Sequence, residues 1–333
     1  MGVSWKSVNS YERFYPQAGS YMNILISSIP IFLIILTGFV IGQSRWFNPV
    51  ASEILTKLIF FIVMPVTLFL EIAILPIKTV LIWPYMGAFF ISSILVALLG
   101  LSISYCYFKR KKAGLVVNTM ASIHTNTAYI ALPLFLLLFN TASPVASIII
   151  VQSIFNFIIL FMLDTFTYST EKNKHMTHRA FSVFWKNPIL IGILTGVVFS
   201  YFHIELPDML EKTFAIVSQS APFLALFSLG LSLSFINTAL NKKDFFEITT
   251  LVFLKSFLHP LVAFLVGHYL FKLTGFWLFA VIFIAAMPSP KNLFIFAKRY
   301  QTGEDRASLI VFTTTVISVV TLNMTLLVKS YLP

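Results

Sequence analysis

The sequence predicts an all-α integral membrane protein: ten transmembrane helices arranged as two inverted five-helix repeats, with helices 4 and 9 broken. Three observations carry that expectation. Of the 333 residues, 58% are hydrophobic and only 11% charged, at a mean hydropathy of +0.89, whereas soluble domains run near ~25% charged. Ten apolar stretches approach the roughly 20 residues a bilayer core requires. A proline-led, twelve-residue motif recurs 158 positions along the chain. So little charge excludes a disordered chain, a nucleic-acid-binding domain and a water-soluble enzyme, because a compact soluble fold cannot cover this much Phe, Leu, Ile and Val. The net charge of +11 is therefore loop charge that sets orientation. A single cysteine, Cys106, excludes an internal disulfide and a cysteine-built metal site.

Residues 1–21 read as an extramembrane tail. They carry Lys6, Arg13 and Pro16 and lack the apolar core and cleavage site of a signal peptide. Lys6 also breaks the myristoylation pattern, and Met22 is an alternative initiator. The apolar segments follow at 22–42, 52–74, 81–108, 115–139, 145–166, 188–204, 213–236, 246–271, 276–297 and 307–328. Their length and lack of alternation fit helices rather than barrel strands. Residues 22–167 thus form the first repeat, 168–187 a connecting loop, and 188–333 the second repeat.

Basic residues orient the chain. Loops after segments 1, 3, 5, 7 and 9 carry fourteen Lys and Arg, and the opposite side carries six. The positive-inside rule places the first set, including loop 168–187, in the cytoplasm and both termini outside.

The recurring motif is Pro30-Ile-Phe-Leu-Ile-Ile-Leu-Thr-Gly-Phe-Val-Ile41 against Pro188-Ile-Leu-Ile-Gly-Ile-Leu-Thr-Gly-Val-Val-Phe199, seven identities in twelve without a gap. Pro65 and Pro222 lie 157 apart, as do Pro133 and Pro290. Five helices per half is an odd number, so the second copy is inverted. Such pairs generate alternating access around a site near the midplane.

Segment 4 places His124, Thr125, Asn126, Thr127 and Tyr129 at mid-span, ahead of Pro133. Segment 9 reads Met287-Pro-Ser-Pro-Lys-Asn292 at the matching place. Each proline removes an amide donor and clashes with the carbonyl four residues back, so Pro288 and Pro290 together open the ladder. Matching breaks in two halves point to a binding site. Half-helix N-termini favour an anion, and Lys291 beside Asn292 adds a full positive charge. A carboxylate held by amides, Asn126, Asn292 and hydroxyls is the natural occupant; the alternative is a kinked helix whose polar groups only cap freed backbone.

Other intramembrane charges are candidates for coupling or for structure. Lys255 and His259 are four apart and share a helix face, where a lysine costs roughly 2.5–3.5 kcal/mol on insertion scales. Glu71 is a partner for Lys255 or a proton site. His124 is a proton-linked group or a packed, hydrogen-bonded one. Asp164 and Lys57 are expected to reach water near the cytoplasmic surface.

The ordered set Pro30 to Gly38, Pro65 to Ala73, Asn126-Thr-Ala-Tyr-Ile-Ala-Leu-Pro133, Lys186-Asn187-Pro188, Pro222 to Gly230, Lys255 with Pro260, and Met287-Pro288 with Asn292 resembles the auxin efflux carrier family. The resemblance spans residue 22 to the C-terminus. It implies a fold shared with bile acid symporters, in which helices 1, 2, 6 and 7 form a scaffold and helices 3–5 and 8–10 move, with helices 4 and 9 crossing at their breaks. It implies organic acid anions as cargo, and Asn126 and Asn292 as the crossover asparagines. Ala131 stands where the family usually has Gly, and Pro290-Lys291 where it has a small residue. Lys291 favours a more anionic cargo, and the short central loop matches bacterial permeases of the malonate or malate type, hence a bacterial inner membrane.

The expected function is a secondary transporter of mono- or dicarboxylates, with no cofactor, no metal site and no nucleic-acid partner; the lipid bilayer and a second copy of the chain are the other candidate partners. Candidate substrate-binding residues are Asn126, Thr127, Tyr129, Pro133, Pro288, Pro290, Lys291 and Asn292; candidates for coupling or path-lining are His124, Glu71, Lys255 and His259. A sensor retaining the carrier fold and a sodium/proton antiporter are the alternatives. The antiporter needs paired mid-membrane carboxylates, and the fifth segment offers only Asn156 and, eight residues on, Asp164. A membrane enzyme lacks clustered catalytic groups.

Overall fold

The computed structural model describes residues 21–44, 46–110, 112–167, 186–236, 244–329 and 332. The expected N-terminal tail, most of loop 168–187 and seven of the fourteen basic residues that orient the chain (Arg45, Lys111, Lys172, Lys174, Arg179, Lys242 and Lys243) lie outside these residues. Every regular element among the described residues is helical. Seven helices are long and apolar enough to cross a membrane, and Ile29–Gln43, Pro188–Phe202 and Gly275–Ala285 are shorter apolar helices.

In chain order the elements are α1 (Tyr21–Gln43), α2 (Pro49–Ala73), α3 (Trp83–Cys106), α4 (Ala113–Ile123), α5 (Leu132–Phe139), α6 (Ser143–Thr167), α7 (Pro188–Phe202), α8 (Asp208–Leu233), α9 (Phe245–Leu270), α10 (Gly275–Ala285), α11 (Asn292–Arg299) and α12 (Glu304–Val328). Asn48 caps α2 by accepting from the Ala51 amide at 2.8 Å, and Asn187 caps α7 by accepting from Ile189 and Leu190. Both caps precede a proline at the first helical position, where its missing donor costs nothing.

Prolines inside the spans act in two ways. Pro30 and Pro222 sit within unbroken α-helix. Pro65, Pro133 and Pro260 are each preceded by a π-helical turn, at Ile59–Val63, Thr127–Ala131 and Leu254–Leu258. The physical reason is shared: a proline ring pushes away the carbonyl four residues back, and the widened turn moves each bond to the fifth residue. The amides of Met64, Leu132 and His259 accordingly bond the carbonyls of Ile59, Thr127 and Leu254.

Packing divides the helices into two sets. Helices α1, α2, α7 and α8 pack on one another, with α1 against α8 and α7 against α2. Helices α3, α4, α6 and α9–α12 form a second set, with α3 against α4 and α9, and α5 lies against α8 of the first set. Glycines permit the closest approaches, since a Cβ at Gly38 would meet the Phe227 carbonyl and one at Gly196 the Phe69 carbonyl. Such small-residue contacts let helix backbones touch where lipid gives no hydrophobic drive. Outward faces carry exposed Leu33, Phe61, Leu98, Phe253, Leu261 and Val316, while Ser, Thr, Asn and Gln are buried. That is the distribution expected when the solvent is hydrocarbon.

One charged cluster holds the second set together near the loop ends. Buried Glu247 of α9 accepts from Arg110 Nη2 at 2.6 Å, Arg306 Nη1 at 2.7 Å and Asn118 Nδ2 at 2.6 Å. This carboxylate raises the pKa of Arg110, in the loop between α3 and α4, chiefly by hydrogen bonding. Asp164 differs from its expected position. It is buried rather than water-facing, and accepts from the Tyr300 hydroxyl at 2.6 Å. The tyrosine at the end of α11 offers a donor that sequence spacing does not reveal. Lys57 is exposed and pairs with Glu53 at 2.8 Å.

Candidate functional site

The site is built where two interrupted helices meet. Helix α4 ends at Ile123; His124 takes φ −68° and ψ 135°, and Asn126 φ −79° and ψ 75°, so the backbone runs extended before helix resumes at Thr127. On the other side α10 ends at Ala285 and α11 begins at Asn292, with Pro288 and Pro290 in the gap. The breaks are tied directly to each other. The Asn126 amide donates to the Pro288 carbonyl at 2.9 Å, and the Ser289 hydroxyl donates to the Ala121 carbonyl at 3.2 Å. Ser289 is fixed in turn by its amide, which donates to Thr314 Oγ1 of α12 at 3.1 Å. Freed backbone at this depth is thus satisfied by the opposing chain, as hydrocarbon demands.

Against the junction lies a cavity of about 300 Å³. The first break supplies His124, Thr125, Asn126, Thr127 and Tyr129, and the second Pro290, Lys291 and Asn292. Helix α2 adds Thr56, Lys57 and Phe60, and α6 adds Gln152, Ser153 and Asn156. Among the described residues its lining contains two lysines and no carboxylate.

Asn126 is both a cap and an unspent donor. Its Oδ1 accepts from the Tyr129 amide at 3.2 Å, while its buried Nδ2 has no partner. A buried amide without an acceptor costs about 1–3 kcal/mol, which a ligand oxygen would recover. Lys291 is half-buried, and its Nζ donates to Ser232 Oγ at 3.0 Å and Thr56 Oγ1 at 3.4 Å. Among the described residues it hydrogen-bonds hydroxyls and no acid; Glu53 acts on it only at a distance and is paired with Lys57, so its positive charge stays largely available. The Lys291 and Asn292 amides, at the start of α11, find no acceptor among the described residues. His124 donates through Nε2 to Asn156 Oδ1 at 2.9 Å and leaves Nδ1 unpartnered. Gln152 bridges Thr125, whose hydroxyl accepts from Nε2, and Thr127, whose hydroxyl donates to Oε1 at 3.2 Å. The Tyr129 hydroxyl donates to the Thr56 carbonyl at 3.3 Å.

The sequence candidates therefore separate. His124, Asn126, Thr127, Tyr129, Pro290, Lys291 and Asn292 line the cavity. Pro133 starts α5, and Pro288 contributes its carbonyl to the Asn126 bond. Lys255 and His259 are buried behind the second break, where Lys255 Nζ donates to the Ala285 carbonyl at 2.6 Å. Glu71 is not the partner of Lys255, which is held by that carbonyl and by His259 Nδ1 at 3.3 Å. The ladder opened by Pro288 and Pro290 offers Lys255 an acceptor that Glu71 is not needed to supply. Sequence reasoning missed Gln152, Ser153, Thr56 and Asn187 as lining groups. A signal existed for the first two: Gln152, Ser153 and Asn156 lie on one helical face, a polar stripe on an apolar span.

Broken helices, a donor-rich cavity and apolar outer faces define a membrane transporter rather than an enzyme. The comparison with known families agrees: a family model described as membrane transport protein (Mem_trans) matches residues 23–326. The chain belongs to that family, which is the auxin efflux carrier family its ordered residues resemble. It is similar to a protein of Rhizobium meliloti (strain 1021) described as "Putative malonate transporter", at 26% identity over 137 residues. That match covers 41% of this chain and 42% of the relative.

Proposed function

We propose that this protein is a secondary transporter, a permease or efflux carrier, that moves small organic acid anions across a bacterial inner membrane by alternating access, and that dicarboxylates of malonate size are its preferred cargo. The observation that carries the reading is the cavity between the breaks, with two lysines, an unpartnered Asn126 Nδ2 and no acidic side chain. One carboxylate is received by Asn126 and the amides of Lys291 and Asn292, and the Lys291 ammonium adds the charge that favours a dianion. The description of the relative as a malonate transporter supports the same choice. The lack of acidic lining counts against a sodium/proton antiporter, which needs a carboxylate to carry its ions.

Ten helices in two inverted repeats are the architecture of this reading. Its support is a contact that occurs twice: Gly38 lies on the Phe227 carbonyl and Gly196 on the Phe69 carbonyl, and both members of each pair are 158 residues from their counterparts. Helices α1, α2, α7 and α8 are the scaffold, and the remaining set moves with the breaks. Lys57, Asn187 and Asn292 border the cavity, near the loops whose basic residues support a cytoplasmic side, so in this reading the cargo is loaded from the cytoplasm. From there a dianion leaves an inside-negative cell with about 4.6 kcal/mol per 100 mV behind it and no coupled ion.

Currents from proteoliposomes on a solid-supported membrane test the proposal, across malonate, malate, monocarboxylates and indole acetate. A saturable current for a dicarboxylate is expected, weakened about tenfold or more by Lys291→Gln in a protein of unchanged melting temperature. Saturable binding without flux identifies a sensor instead. Neither binding nor flux for any carboxylate refutes the reading.

A further inference from the structure

Lys255 is an unusual residue for this depth. It is 0% exposed, on the π-helical turn of α9 five residues before Pro260, and no carboxylate among the described residues pairs with it. Snorkelling is closed to it, since its ammonium points inward and donates to the carbonyl of Ala285 at 2.6 Å. Ala285 is the last residue of α10. The neighbouring carbonyls of Ile282 and Ile284 are taken by the amides of Ala286 and Met287, while the Ser289 amide, which a continued helix would place on the Ala285 carbonyl, donates to Thr314 Oγ1 instead, so the break strands Ala285. The C-terminal end of a half-helix carries partial negative charge, and stranded carbonyls of broken membrane helices are where coupling cations coordinate. Here a side chain fills that place.

From this geometry we infer that the Lys255 ammonium is a tethered cation that occupies the cation position at the end of α10, so that the second break is held without a dissociable sodium ion. The groups facing it agree. His259 Nδ1 lies 3.3 Å away as an acceptor, and its Nε2 is 3.2 Å from Ser93 Oγ of α3. Lys255 therefore links α9, α10 and, through His259, α3. His124, on the first break, is the other titratable group close enough for its charge to interact with the pair. No acid competes for the ammonium among these neighbours, and the carbonyl is its strongest acceptor. The first break needs no such device, because the Ser289 hydroxyl donates to the Ala121 carbonyl in the last turn of α4. In terms of energy supply, and resting there on the carrier reading, a fixed cation removes sodium coupling at this position: the carrier runs on the gradient of its anion and the membrane potential.

The test uses the purified full chain in detergent and needs no substrate. Melting temperature is measured in sodium chloride and in choline chloride of equal ionic strength, for the wild type, Lys255→Ala and Lys255→Met. The wild type is expected to melt at the same temperature in both salts. Lys255→Ala should melt about 5 °C lower, from one stranded buried carbonyl, and recover saturably with methylammonium or ethylammonium. Lys255→Met should fall similarly and fail to recover, because its side chain fills the space. A saturable sodium-dependent rise for the wild type overturns the inference, and so does a Lys255→Met protein as stable as the wild type. If Lys255→Ala does not fold, the wild-type salt comparison and Lys255→Met still decide. Sodium-independent melting together with silence in the carboxylate currents would leave the tethered cation standing and the carrier reading refuted.

Discussion

Replacing Asn126 separates the two jobs of one side chain, and the structure sets the size of each effect. Its Oδ1 caps the helix that resumes at Thr127 by accepting from the Tyr129 amide at 3.2 Å, while its Nδ2 is buried and unpartnered in the cavity. Alanine removes both. Losing the cap costs about 1 kcal/mol of stability. Losing a donor to a charged ligand costs about 1.5–3 kcal/mol of binding, a factor of roughly ten to one hundred. Aspartate keeps the capping oxygen but turns the donor into a negative charge facing the anion, so its binding loss should exceed that of alanine while its melting temperature stays nearer the wild type. Malonate binding by calorimetry and flux in proteoliposomes, alongside thermal melting, distinguish these terms. The order expected for binding is wild type, then Asn126→Ala, then Asn126→Asp; for stability Asp lies above Ala. Wild-type flux in Asn126→Asp would refute the reasoning, because no arrangement in which Nδ2 meets an anion tolerates that exchange.

Four further substitutions probe the frame around the site. Glu247→Gln leaves the Arg110 and Arg306 guanidiniums sharing Asp244 as their acid partner, and should cost about 1–3 kcal/mol, read as a lower melting temperature. Gly38→Ala forces a methyl against the Phe227 carbonyl backbone, with an expected cost of about 1–3 kcal/mol; Gly196→Ala, against Phe69, should behave alike, and a large difference between the two would count against their equivalence. Glu71 neither lines the cavity nor bonds Lys255, so Glu71→Gln should leave flux within about twofold; a dead variant would return Glu71 to the list of proton sites.

What the sequence made legible follows from what proline and hydrocarbon each dictate. The spans could be read because a bilayer penalises every exposed backbone group, which forces long apolar helices. Pro288 and Pro290 located the second break because neither donates an amide. The first break has no proline within it, and only the clustering of His124 to Tyr129 betrayed it. The wall opposite was harder. Gln152 sits among Ile149, Val151 and Ile154, and nothing local says that its amide bridges two hydroxyls of α4's broken continuation. Asp164 misled because proximity to a loop implies water, whereas Tyr300, 136 residues on, supplies its donor inside the protein. Long-range pairings of this kind are invisible to spacing.

In the two-repeat reading the two breaks are counterparts, yet they differ in the charge that surrounds them. The first is neutral: Asn126 caps and donates, and a hydroxyl from the other break covers the end of α4. The second carries Lys291 at the start of α11 and Lys255 at the end of α10. A cation is expected at the C-terminal end, where the half-helix is negative, and Lys255 is spent there. Lys291 stands at the positive end, where the dipole adds to its charge instead of opposing it, and only hydroxyls accept from it. That placement is costly in an empty site, where Glu53 acts on it only at a distance and is itself paired with Lys57, and a bound anion relieves it. The asymmetry therefore assigns the two lysines opposite roles, one to holding the break and one to receiving the cargo, and Lys291→Gln should weaken cargo binding with little change in melting temperature, whereas Lys255→Met should lower the melting temperature.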